Sequence, residues 1–547
     1  MAEKKPENVR AFEPETFVVS VIISILSAII CMQIIARIGT TPNTSVIGAL
    51  MAMAIARIPL KSMAKFRSLD RQNLVQTMNS GAGFAAANCG LLAVGVIFAF
   101  GDMSLIYPML IGSAVATLLG MHFVYRIFDS ELFPADAAWA PGVATAQALI
   151  AGDEGGAKGK TLLGGILIGI AGAACKIKPV LAGGIPMAGI GIAFIANPFA
   201  MGALAVGLLI RGYYPAIAPA LVDMGFSSLP LDLGKTYIPH GFMIGAGFVS
   251  LVQALVTIFK KKSPEKSAAK SADEYIPSVS NEAMRKAIVV HTVLFALAAA
   301  AIAVISGLWI SMPVSKLALW VLWCTLSSVI APVLVGLCAM YSGWFPGFAI
   351  TVIFLSLGLF MGFPAPALAI MTGFIASTGP CFADMGFDLK TGWIIRGKGE
   401  DLAYELDGRK QQIYLELVGG LLAMGVVAAL MNMHFKQDLI PPVSRVFAAT
   451  ITAGSHPEIL REMAMWAIPG AILQIIGGSK KALGILCATG LLIKNPIYGV
   501  GLVIALIIRQ IYYKTHKDAM ELYGAGFVAG DGIYGFIFAI GRSFGMW

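Results

Sequence analysis

Residues 17–38 read FVVSVIISILSAIICMQIIARI, a run with no acidic residue and a single base, Arg37, near its end. About 20 helical residues span the roughly 30 Å hydrocarbon core of a bilayer, so the run is long enough to cross. It is apolar on every side, as is 287–309, which a helix lying on a soluble core would not be. Strands of a membrane barrel would alternate apolar and polar residues, and that alternation is missing. The spanning element is therefore expected to be the helix.

Comparable runs recur along the whole chain. In the first half they fall at 17–38, 45–60, 74–100, 104–127, 161–177, 180–195, 198–214 and 241–259. In the second they fall at 287–309, 316–340, 345–361, 410–433, 459–477, 482–493, 496–513 and 521–540. Two further apolar pieces, 134–151 and 364–382, are broken by proline and glycine, and the first reads as a re-entrant segment. The expected fold is an all-α polytopic membrane protein with about sixteen transmembrane or re-entrant helices. Composition agrees: 58% of the 547 residues are hydrophobic and 13% charged, against about 25% charged in soluble chains.

The formal charge of +9 does not point to nucleic acid, because the bases sit in short connections between spans. Lys4, Lys5 and Arg10 precede the first run, Lys61, Lys65, Arg67 and Arg71 follow the second, and Lys260, Lys261, Lys262, Lys266 and Lys270 fill a Lys/Ser/Ala-rich linker. An even number of crossings separates these clusters, so all are expected in the cytoplasm with the N-terminus. No cleavage site follows the first run, so no removable signal peptide is expected. The cysteines, Cys31, Cys89, Cys175, Cys324, Cys338, Cys381 and Cys487, have no regular spacing; packing is expected rather than disulfides or zinc.

The chain repeats itself. Asn197, Pro198, Leu204, Leu208, Ile210, Arg211 and Tyr214 recur as Asn495, Pro496, Leu502, Leu506, Ile508, Arg509 and Tyr512 at a constant offset. The element Gly-Ala-Gly-Phe-Val follows each copy, at 245–249 and 524–528. The expected organisation is an N-terminal tail 1–16, a membrane half 17–259, a cytoplasmic linker 260–286 and a second half 287–547. Two pseudo-symmetric halves of this kind commonly enclose a solute site at their interface, so a secondary transporter is the leading class. A passive channel is the rival.

Ionisable residues inside apolar runs are costly and mark candidate sites. Asp531, in the last run, is the leading proton-coupling candidate, with a helix-end carboxylate paired with a basic residue as its alternative. Glu416 is the second candidate, with a side chain reaching back to the interface as its alternative. Asp384 and Asp388 share one face if their segment is helical; a solvated loop is the other reading. Gln76, Asn79, Ser80 and Gly81 interrupt the third run with polar, flexible residues whose unwound backbone would face a solute, and Asn88 follows on the same segment. Pro141, Gly142, Thr145 and Gln147 in one broken piece, and Thr378 after the other, complete the expected cavity lining.

Enzyme signatures fail. Ser543 sits in a literal G-x-S-x-G with two residues after it, so no later acid or histidine exists. Gly159-Lys160-Thr161 lacks the first P-loop glycine, because position 154 is Glu154. No catalytic residue, metal ligand or cofactor is expected, and any concentrative transport would draw on a proton gradient.

Several motifs together resemble the oligopeptide transporter (OPT) family, which includes the yellow stripe-like metal-chelate carriers. They are Asn43-Thr44-Ser45-Val46-Ile47-Gly48, Gln76 with Ser80-Gly81-Ala82-Gly83, and Pro141-Gly142-Val143-Ala144-Thr145-Ala146. In the second half they are Asp388-Leu389-Lys390-Thr391-Gly392 and Gly526-Phe527-Val528-Ala529-Gly530-Asp531-Gly532. The resemblance covers nearly the full length and is to prokaryotic members. It implies about sixteen helices and proton-coupled uptake of peptides, modified peptides or metal chelates across a bacterial or archaeal inner membrane. The expected partners are a small-molecule solute and the lipid bilayer, with a homodimer as the assembly left open. The Asn-Pro-Gly and Lys-Ile-Pro-Pro-Arg signatures of the eukaryotic peptide branch are absent, and Asp531 stands where many relatives carry Glu.

Overall fold

The computed structural model describes residues 9–39, 41, 43–175, 185–224, 230–259, 275–454, 457–493 and 495–543. Parts of the expected tail (1–8), of the spans at 161–177 and 180–195 (176–184) and of the linker (260–274) lie outside them. Among the described residues no strand forms, and ten helices are long and apolar enough to cross a membrane, with four shorter apolar ones beside them. The all-α polytopic architecture is the one expected.

In chain order the first half contains α1 (Pro14–Ile38), α2 (Thr44–Ala56), α3 (Leu69–Phe84), α4 (Leu92–Phe100), α5 (Ile106–Ile127), α6 (Ala140–Glu154), α7 (Gly156–Ala174), α8 (Met187–Ile195), α9 (Pro198–Asp223) and α10 (Ile238–Phe259). The second contains α11 (Asn281–Ile305), α12 (Val314–Ser342), α13 (Gly347–Phe360), α14 (Ala365–Ala376), α15 (Gly379–Ile395), α16 (Leu402–Lys436), α17 (Pro442–Ala453), α18 (Pro457–Lys481), α19 (Leu483–Leu492) and α20 (Pro496–Ser543). The last is two arms joined at a kink, where His516 leaves helical geometry.

The repeated Asn-Pro pair opens a helix in the same way both times. Asn197 Oδ1 accepts the N–H groups of Phe199 and Ala200, and Asn495 Oδ1 accepts that of Tyr498, each with proline in the first turn. Side-chain capping satisfies orphan donors there, and proline loses nothing by lacking one. The repeated arginines then diverge. Arg211 pairs with Asp232 at 2.9 Å, whereas Arg509 donates to the carbonyls of Ala193 and Ala196 and lies over the Tyr513 ring.

The two halves exchange their closing helices. α9 and α10 pack along α19 and α18 of the second half, while the arms of α20 pack along α8 and α7 of the first. Small residues permit the approach. A Cβ on Gly245 of α10 would meet the Ala467 backbone of α18, and one on Gly526 would lie 2.7 Å from Gly165 Cα of α7. Gly245→Val is therefore expected to cost about 1–3 kcal/mol by overpacking, lowering the melting temperature of the detergent-purified protein. Gly425→Val, where nothing lies within 4 Å, is expected to melt like the parent; equal melting of both variants would contradict the exchanged packing.

A polar helix runs through the middle of this apolar bundle. Every residue of α3 from Gln72 to Phe84 is buried, including Gln72, Asn73, Gln76, Thr77, Asn79 and Ser80. The expected unwinding at Asn79–Gly83 is not found: α3 stays helical, and the irregularity comes one turn later, in a π turn over Ala85–Leu91. Such turns strand a carbonyl, and here Cys89 O is taken by Ser113 Oγ at 3.1 Å and Ser377 Oγ at 3.4 Å. The broken piece 364–382 becomes α14 and the start of α15, which meet at Ser377 and Thr378 within one buried 31-residue span. The 134–151 piece becomes a loop and α6, whose 15 residues cover about 22 Å, short of a full crossing.

Candidate functional site

Three acidic side chains meet at the centre of the bundle, beside α3. Asp384 and Asp388 lie one turn apart on α15, and Glu416 reaches in from α16. They are 2%, 0% and 0% exposed, and each offers an oxygen within 4.8 Å of the others. The four-residue spacing of the aspartates places them on one face because the segment is helical; it is not a solvated loop. Glu416 does not reach back to an interface.

Each carboxylate has a different environment. Asp384 faces the N-terminus of α2, which is opened by Asn43 capping Val46 N–H. Thr44 Oγ1 and Ser45 Oγ lie 3.2 and 3.4 Å from Asp384 Oδ1, and Ser80 Oγ lies 3.1 Å from both its oxygens. Hydroxyl donors and the positive end of a helix suit an anion. Asp388 Oδ1 accepts Gln76 Nε2 at 2.6 Å, but among the described residues its Oδ2 has no hydrogen-bond partner, and neither oxygen of Glu416 has one.

Glycine makes room for Glu416. A Cβ on Gly81 of α3 would collide with the Glu416 carboxylate, and one on Gly419 would lie 2.7 Å from Met78 O. The two glycines bring α3 and α16 close enough to insert the acid between them. A buried charge without hydrogen bonds is strongly unfavourable, so such a carboxyl is expected to hold a proton or to face a cation. The donor set is entirely oxygen, which suits protons or a hard cation rather than a soft metal.

The expected site residues divide. Gln76, Ser80, Gly81, Asp384, Asp388 and Glu416 come together. Asn79 lies against Gly48 of α2, with both side-chain atoms buried and unpartnered. Pro141 and Gly142 begin α6, where Gly142 packs on the Phe387 backbone and its carbonyl accepts Thr391 Oγ1; Thr145 bonds back to Pro141 O and Gln147 is half-buried. Thr378 bonds to Ile375 O at the α14–α15 junction, and Asn88 bonds to Thr41 Oγ1. Lys390 turns away from the acids, donating to Ala135 O and Ala137 O.

Asp531 stands apart. Its Oδ2 accepts Ala188 N–H at 2.7 Å, in the first turn of α8, and no hydrogen bond or ion pair among the described residues joins it to the three acids. The alternative given above paired this carboxylate with a basic residue; here its partner is instead a backbone N–H at the start of another helix. A helix N-terminus offers unpaired N–H groups, which gives an acid in an apolar stretch a local partner.

Sequence reasoning missed Thr44 and Ser45 as ligands of Asp384, and Asn73 and Gln412 as neighbours of Gln76 and Asp388. A signal existed for two of them. Gln412 precedes Glu416 by four residues and Asn73 precedes Gln76 by three, spacings that share a helix face.

A search of curated proteins finds no match. A family model described as OPT oligopeptide transporter protein matches residues 14–541.

Proposed function

Because the chain belongs to the OPT oligopeptide transporter family, we propose that it takes up oligopeptides or modified peptides by proton symport, with Asp384, Asp388 and Glu416 as the proton-coupling group. One observation carries the reading: three buried carboxylates within 4.8 Å of one another, one of them with two bare oxygens. At an effective dielectric of about 20, two like charges about 5 Å apart repel by roughly 3 kcal/mol. Three such pairs would oppose full ionisation, so the group stores protons while it is sealed from water.

The local partners support a division of roles. Asp384, with its hydroxyls and the α2 N-terminus, is the carboxylate best supported as an anion, whereas Glu416 is the least supported and is the proton carrier. Asp388 lies between them, with one oxygen served and one bare. Thr44, Ser45, Gln76 and Ser80 complete the facing groups. Opening toward one side exchanges the proton with that solution, and closing commits it, which couples solute movement to the gradient. The N-terminal face is taken as cytoplasmic from the positive charges around it.

Uptake into proteoliposomes, with a panel of short peptides and metal chelates, tests this. A gradient that is alkaline inside is expected to drive accumulation of a peptide. Asp531→Asn is expected to leave that response unchanged, since Asp531 serves α8. Uptake of every solute in the panel indifferent to pH would remove the coupling claim, a sodium requirement would reassign the ion, and loss of coupling only in the Asp531 variant would move the role there.

A further inference from the structure

The carboxylate group is wired to a second buried charge cluster. Arg396 ends α15 and is 6% exposed. Its guanidinium folds back into space left by two glycines: a Cβ on Gly408 would meet Arg396 Cδ and Nε, and one on Gly392 would meet Gln412 Oε1 and the guanidinium. Every donor nitrogen is engaged. Nε lies 2.7 Å from Glu405 Oε2, Nη2 lies 3.3 Å from Glu405 Oε1 and 2.8 Å from Gln412 Oε1, and Nη1 lies 3.4 Å from Asn73 Oδ1.

Two amide arms run from there to Asp388. In the first, Asn73 Nδ2 donates to Gln76 Oε1 at 3.2 Å, and Gln76 Nε2 donates to Asp388 Oδ1 at 2.6 Å. In the second, Gln412 Nε2 donates to the Asp388 carbonyl at 2.7 Å and lies 3.1 Å from Thr77 Oγ1. The polarity is continuous. Arg396 can only donate, so it turns the oxygens of Asn73 and Gln412 toward itself and their N–H groups toward α3 and α15. In the first arm a cation at one end and a carboxylate at the other polarise the amides between them, and each strengthens the next; the second arm ends on the Asp388 main-chain carbonyl.

Beyond Arg396 lies a clasp between the halves. Glu405 is shared with Arg409, whose Nη2 lies 3.1 Å from Asp129 and whose Nη1 lies 3.2 Å from Ser278 Oγ. Asp129, in the α5–α6 connection, also accepts Tyr275 Oη, Ser278 Oγ and Ser278 N–H. Burial pushes Asp129 up, but the Ser278 and Tyr275 hydroxyls and the Arg409 guanidinium together hold it below the usual carboxylate range. The clasp joins the first half, the segment leading into α11, and the second half.

We propose that Arg396 is a positioning residue for transport, which transmits the charge state of the carboxylate group through Asn73–Gln76 and Gln412 to the clasp, so that the clasp releases when the group is neutralised. This rests on the three acids being the coupling group. The groups facing Asp388 are Asp384 on its own helix, Glu416 on α16, Gln76 on α3, and Ser45 and Ser80, whose hydroxyls are shared with Asp384. The charged groups facing Arg396 are Glu405 and, across a small hollow, Asp70, which is held by Tyr404 Oη. Neutralising Asp388 removes the anion that polarises the first arm, and Glu405 remains the one anion in direct contact with Arg396 among the described residues.

The test cuts both arms while keeping every charge. Asn73→Leu with Gln412→Leu, in the full-length protein in proteoliposomes, is expected to lower gradient-driven peptide accumulation at least fivefold and to flatten its dependence on internal pH. Arg396→Lys keeps the pair with Glu405 but cannot reach both amides, and it is expected to show the same flattened profile with normal melting. If the double variant misfolds, Arg396→Lys decides alone. Wild-type pH profiles in the folded variants would overturn the proposal; a wild-type protein that itself ignores the gradient would instead overturn the coupling group on which it rests.

Discussion

Glu416→Gln is expected to abolish the response of uptake to a pH gradient. The substitution keeps the volume that Gly81 accommodates and removes the one of the three acids with no hydrogen-bond partner among the described residues. A gradient of one pH unit can sustain about tenfold accumulation for each coupled proton, because one unit is worth about 1.4 kcal/mol. The variant's accumulation ratio is expected to fall to about one, with residual entry equal in both gradient directions. Asp384→Asn is expected to act differently. It removes the carboxylate that the α2 N-terminus and three hydroxyls support, and so weakens the electrostatic coupling to Glu416 without removing the proton carrier. Ratios of about ten in the Glu416 variant would clear that residue.

Glu405→Gln is expected to be the most destabilising single exchange of a charged residue. Glu405 is fully buried between Arg396 and Arg409, with contacts of 2.7 Å to each. Taking one partner from a buried ion network leaves uncompensated charge, at a cost of about 3–5 kcal/mol. Here two guanidiniums lose their shared acceptor at once, and Asp129 is the only anion left in the ion network formed by Arg396, Glu405, Arg409 and Asp129. The exposed pair Lys158–Glu154 offers the comparison: Glu154→Gln is expected to cost less than about 0.5 kcal/mol. Thermal melting of the two variants in detergent measures both, and similar melting temperatures would mean that the clasp is not structurally important.

What the sequence made legible follows from which interactions are local. The apolar run at 17–38 and its successors gave the helical membrane class because length and hydropathy act within one segment. The Asn-Pro pairs at 197–198 and 495–496 could be matched because capping is also local, and both do open helices. The four-residue spacing of Asp384 and Asp388 correctly placed them on one face. That Glu416 joins them from another helix could not be read, since the meeting depends on α3 and α16 closing over Gly81 and Gly419.

Asp531 shows the opposite case. Its own segment is apolar, so it looked like an unpaired intramembrane acid, yet the N–H group it holds belongs to Ala188 on a helix more than three hundred residues earlier. The run at Asn79–Gly83 suggested unwound backbone because polar and flexible residues interrupt an apolar segment there. In the folded chain α1, α2, α15 and α16 surround α3, and Asn73, Gln76, Thr77 and Ser80 find partners without breaking the helix. The exchange of closing helices between the halves was equally hidden, since a repeat says which segments correspond but not which ones touch.

Infrared spectroscopy of the purified protein, comparing wild type with Glu416→Gln in ordinary and heavy water, bears most directly on the buried acids. At neutral pH a protonated-carboxyl band is expected in the wild type, slow to shift on exchange into heavy water and absent from the variant. A wild-type spectrum without that band, or one that Glu416→Gln leaves intact, would contradict proton storage at this site.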